Sequence, residues 1–148
     1  MRSSLPFTAF ALFLAAPVAA DEKSDADLKA MVGKWKVEKA VMAGKDVTER
    51  VASIMKFEIR EGGKYTTQIG DQKEEGAFTI DPTKSPKEVD VKPTGGPNKG
   101  KTVKAIYKLD GDTFTACYNF DADKGARPEK FESKEGTTHL LIVYKREK

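Results

Sequence analysis

From Lys34 to the C-terminus, apolar residues recur at every second position in run after run, and each run ends in a turn signal. That period lays one side of an extended chain against a core and the other in water, the pattern of a half-buried β-strand. Eight strands are predicted. The first spans about 34–42, with Trp35, Val37 and Lys39 on one face; the second, 54–60, aligns Met55, Phe57 and Ile59. The third, 64–70, aligns Tyr65, Thr67 and Ile69, and the fourth, 75–81, aligns Gly76, Phe78 and Ile80. A fifth at 88–92 carries Val89 and Val91, and a sixth at 101–109 carries Val103, Ala105, Tyr107 and Leu109. The seventh occupies 113–119, and the eighth, 137–145, is apolar on both faces.

Glu61-Gly62-Gly63, Gly70-Asp71-Gln72-Lys73 and Asp110-Gly111-Asp112 supply short connections. Long loops are expected at 93–100, where Pro93 and Pro97 exclude a strand, and at 120–136. The one helix expected, at about 24–32, has Ser24 or Asp25 to cap it and Gly33 to end it. It is too short to cover a sheet. Sequential antiparallel strands with one apolar face must therefore bury it against themselves, and an all-β, eight-stranded up-and-down barrel does so while removing exposed edges. A two-sheet sandwich is the competing architecture.

Residues 1–20 read as a signal peptide: Arg2 precedes the apolar run Leu5 to Ala16, and Val18-Ala19-Ala20 offers small residues for cleavage before Asp21. About a dozen apolar residues fall short of the roughly 20 that cross a bilayer. Asp21 stands where a lipoprotein would carry its acylated cysteine, so residues 21–148 are expected to form one domain, periplasmic or extracellular, without a membrane anchor. Cys117 is the only cysteine, which rules out an intramolecular disulfide. Lys and Arg number 26 against 23 Asp and Glu, a net charge of +3 that gives no basis for nucleic-acid binding.

Gly33-Lys34-Trp35 opens the first strand and Arg146 follows the last. This resembles the pattern of lipocalins and fatty-acid-binding proteins, in which a Gly-x-Trp tryptophan closes one end of the barrel beneath a basic side chain. The order Leu28, Gly33-Lys34-Trp35, Gly76 to Lys87, Asp90, Lys99-Gly100-Lys101, Ile106-Tyr107, Asp110-Gly111-Asp112, Cys117, Arg127-Pro128, Phe131 and Tyr144-Lys145-Arg146 is similar to an exported bacterial lipocalin-like domain family best known from planctomycetes. The resemblance implies a lipocalin-like barrel closed by Gly33, Trp35 and Arg146. It implies no activity.

No enzyme, cofactor or metal is expected from the residues. One histidine and one cysteine do not make a zinc site. A pairing of Asn119 with Thr137 would set Cys117 opposite His139, an arrangement able to activate a thiol, although a one-residue slip would separate them. His139 as a haem ligand is a further option. Gly95 to Thr102 matches the phosphate-loop pattern G-x-x-x-x-G-K-[ST] but is followed by a strand, where that motif must open a helix. Trp35, Phe57, Tyr65, Phe78, Tyr107 and Phe114 are the candidate lumen residues. Their rings either line a site for a small apolar ligand or fill the interior as core. The alternative function is contact with an envelope protein, as in a protease inhibitor, through loops 93–100 and 121–136.

Overall fold

A computed structural model describes residues 18–121 and 125–148. The strands follow in the order β1 (Gly33–Met42), β2 (Lys45–Asp46), β3 (Met55–Arg60), β4 (Lys64–Ile69) and β5 (Gln72–Asp81), then β6 (Lys87–Pro93), β7 (Val103–Asp110), β8 (Thr113–Asn119) and β9 (His139–Arg146). Two helices, α1 (Val18–Met31) and α2 (Thr48–Ile54), precede β1 and β3. Every neighbour is antiparallel and, β2 apart, the strands follow one another in chain order, with β1 also paired to β9. The sheet is thus an up-and-down barrel of eight long strands, with β2 a two-residue strand folded back antiparallel on the end of β1.

Four details differ from the sequence expectation. Helix α1 begins at Val18, so Ser24 and Asp25 lie within it instead of capping it. The expected export segment falls largely outside the described residues. In β1 the register against β9 shifts between Val37 and Lys39, so Glu38 is an extra residue and the phase inverts there. Ala40, fully buried, faces the core in place of Lys39, which is exposed. Strand β5 starts directly after a two-residue turn, with Ile69 opposite Gln72.

The fourth difference is α2. Strand β1 meets β3 only over Gly33 to Trp35, after which the two diverge. α2 lies in that stretch, tied to β1 where the Val47 amide donates to the Ala40 carbonyl (2.9 Å) and the Ala40 amide to Thr48 Oγ1 (3.0 Å). Val47 and Val51 then pack against the core.

The two barrel ends are built differently. One carries α1, the 61–63 and 111–112 turns and the 82–86 loop, and is closed. The other carries α2, the Gly70-Asp71 turn and the loops 94–102 and 120–138. Of the last, the described residues 125–138 lie against the outer wall. Arg127 Nη1 donates to the carbonyls of Val89 (2.9 Å) and Ala105 (2.8 Å), and the same guanidinium pairs with Glu88 (3.4 Å) and Asp90. Lys108 Nζ stands 5.0 Å from the Phe131 ring centre, and Asn119 Nδ2 donates to the Ala126 carbonyl. The loop is a strap over β6 to β8.

Candidate functional site

The closed end is assembled around Trp35. Its indole Nε1 donates to the Met31 carbonyl at the end of α1 (2.8 Å), and its ring lies 5.7 Å from that of Phe114. Arg146 covers it, the guanidinium carbon 4.4 Å from the ring centre, while Nη1 donates to the Val32 carbonyl (2.7 Å), Nη2 to that of Ala30, and Nε to Asp112 Oδ1 (3.2 Å). The same cation that lies over the aromatic face thus also donates to carbonyls at the end of α1, which have no partner within the helix. Gly33 makes room for it. Its φ is +142°, and a Cβ there would come within 2.7 Å of Arg146 Nη1.

Tyr107 belongs to this end too. Its hydroxyl donates to Asp27 Oδ2 on α1 (2.8 Å), which also receives Lys87 Nζ (2.9 Å). Trp35, expected both in the lumen and in the closure, and Tyr107, expected in the lumen, both lie in the closure, because each spends its polar atom on α1 and fills the space beneath it. The other four candidates, Phe57, Tyr65, Phe78 and Phe114, do line a cavity.

That cavity measures about 340 Å³ and runs from a floor of Met31, Phe57 and Phe114 to a rim of Ile69, Gln72, Pro97 and Asn98. Val51 of α2 and Val91, Val103, Leu140 and Ile142 complete an apolar wall. The aromatic stack Phe57, Tyr144 and Phe114, with centroid separations of 4.8 and 5.6 Å, fills the lower barrel. The interior is therefore part core and part hollow, where the sequence had set the two against each other.

Below the rim, polar groups in the wall are few. Tyr65 Oη donates to Glu74 Oε1 (3.1 Å), and the ring reaches that position because its cross-strand partner is Gly76, where a Cβ would meet Tyr65 Oη at 2.6 Å. Tyr118 Oη and Tyr144 Oη lie 3.3 Å apart. Desolvation pushes the Tyr118 hydroxyl up to about 12, raises that of Tyr144 well above its ordinary value, and raises Tyr65 with help from Glu74. Tyr118 and Tyr144 were missed by the sequence reading, although each falls on an inward face: Tyr118 is four residues from Phe114, and Tyr144 alternates with Leu140 and Ile142.

The Cys117 and His139 pairing is overturned. The register sets Asn119 opposite His139 and Cys117 opposite Leu141, two residues from the expected alignment. Both residues face outward, away from the cavity that Tyr118 and Leu140 line, so His139 does not offer a ligand to anything held in the lumen. Cys117 is buried beneath the strap, where its Sγ donates to the Glu132 carbonyl (3.4 Å) and burial pushes its thiol up. The Gly95 to Thr102 segment is a loop followed by β7, and contributes Gly96, Pro97 and Asn98 to the cavity mouth. No protein-family model, curated protein or solved structure matches the chain. What the geometry establishes is a lipocalin-like eight-stranded barrel, closed at the α1 end and hollow toward the other.

Proposed function

We propose that this is an exported barrel whose lumen binds a small, largely apolar molecule. The observation that carries the reading is the cavity of about 340 Å³. It falls at the lower end of the roughly 300–1,000 Å³ typical of small-molecule sites, and it has their chemistry, an apolar wall with a few placed polar groups. Closure of one end and a mixed rim at the other, where Ile69 is 49 % exposed, give the ligand a single route. The similarity to exported planctomycete-type lipocalin-like domains accords with an exported barrel and implies no ligand, and export itself rests on the charged, apolar and small-residue segments of 1–20.

Two measurements test the reading. A neutral hydrophobic fluorophore such as N-phenylnaphthylamine is expected to bind the purified protein at one site, and Val91→Phe, which narrows the hollow, to weaken it. Absence of binding, or binding unaffected by the substitution, would overturn the lumen assignment. N-terminal sequencing of protein recovered from a secreting host is expected to begin at Asp21; a chain still starting at Met1 would remove export.

A further inference from the structure

The Tyr118 and Tyr144 hydroxyls carry an unspent hydrogen-bond donor. The two residues stand four apart along the β8–β9 register, since Phe114 pairs with Tyr144 and Tyr118 with Leu140. Ala116 and Ile142 separate them, and the side chains lean across this gap until their oxygens are 3.3 Å apart. Each hydroxyl brings one proton, and only one can lie between the oxygens. Among the described residues no other group receives the second. Both side chains line the apolar hollow, where a donor without an acceptor is costly.

The charges around the hollow limit what can use that donor. Glu74 lines the wall and already accepts from Tyr65. The only cation among the described lining residues is Lys73, at the rim, where its Nζ is exposed and pairs with Glu75 (3.5 Å). A carboxylate drawn inside would thus lose its hydration without gaining a buried cation, and would share the cavity with another carboxylate. A neutral oxygen meets neither obstacle.

Resting on the lumen reading above, we propose that the preferred ligand class is an apolar molecule bearing one uncharged acceptor oxygen, a ketone, ester or amide carbonyl, received by the Tyr118–Tyr144 hydroxyl pair. Both hydroxyls are protonated at neutral pH, as a phenol ordinarily is, so the donor is available there. Removing one hydroxyl leaves the other still able to donate. The double substitution is the informative one.

The test compares three probes of one shape by calorimetry: naphthalene, acetylnaphthalene and naphthoate. The ketone is expected to bind about tenfold tighter than naphthalene, the effect of one enclosed hydrogen bond, and naphthoate weakest of the three. In Tyr118→Phe/Tyr144→Phe the ketone's advantage should vanish while naphthalene binds as before, which also shows that the variant retains its hollow. Equal binding of ketone and naphthalene to the unaltered protein, tightest binding of naphthoate, or an advantage that survives the double substitution would each overturn this inference and leave the lumen reading intact. Failure of all three probes to bind would overturn both.

Discussion

The guanidinium of Arg146 stacks on Trp35 at 4.4 Å while the same side chain donates to Ala30 and Val32 and pairs with Asp112, so one residue joins the last strand, the first strand and the end of α1. Arg146→Ala strips donors from two carbonyls and uncovers the indole together. A loss of about 2–3 kcal/mol is expected, read from urea unfolding followed by Trp35 fluorescence. Arg146→Lys keeps the charge but not the planar fork and should restore less than half of it. Unchanged unfolding of the alanine variant would show the contact to be ornamental.

Gly33 and Arg146 should couple. An alanine at position 33 meets two obstacles, a φ of +142° and Arg146 Nη1 at 2.7 Å. The first persists whatever occupies 146, and the second disappears in Arg146→Ala. Gly33→Ala is therefore expected to cost about 2 kcal/mol alone and clearly less in the Arg146→Ala background. A double-mutant cycle with strictly additive effects would separate the two residues.

All four tyrosines of the chain, Tyr65, Tyr107, Tyr118 and Tyr144, have hydroxyls raised above the ordinary value of 10.0, desolvation being the largest cause at each. The native protein should show almost no tyrosinate absorbance near pH 10, while the urea-unfolded chain titrates there. The stability consequence follows from the sign. Below pH 10 both states are protonated and nothing is lost; above it the unfolded chain releases protons that the native one retains. Stability then falls as pH rises, through about 12 for Tyr118, at about 1.4 kcal/mol per pH unit for each enclosed hydroxyl. Tyrosinate that appears at pH 10 without unfolding would contradict the enclosure.

The strap over the barrel wall governs access to Cys117. In the native protein the thiol should resist disulfide reagents, because it is buried under Glu132 and its ionisation is pushed up. Arg127→Ala removes the pins to Val89, Ala105, Glu88 and Asp90. Labelling of Cys117 is expected to accelerate about tenfold, equivalent to roughly 1.4 kcal/mol off the opening of the strap. Lys130→Ala, an exposed change on the same loop, serves as the comparison. Equal rates in the two variants would show that Arg127 does not hold the strap.

The alternation of Phe57, Tyr65, Phe78 and Phe114 revealed both the strands and four cavity residues, because inward position in a barrel is a local property of period two. α2 left a fainter trace, Val47, Val51 and Ile54 at helical spacing between two stronger strand patterns. The bulge at Glu38 left none: one extra residue inverts the face of everything after it, and only pairing with β9 reveals which residue that is. The same holds for Cys117 and His139, whose separation depended on a two-residue difference in register.

The sequence by itself determined the strands and their sequential antiparallel order, which follow from period two and the turns, while the closed end and the pairing of Trp35 with Arg146 came from the resemblance to the lipocalin pattern. Tertiary structure alone decided that the lower rings pack as core while the upper barrel stays hollow, and that Tyr118 and Tyr144 meet inside it. Those outcomes depend on volumes and distances between strands far apart in the chain, and no local pattern of residues encodes how much space their side chains leave between them.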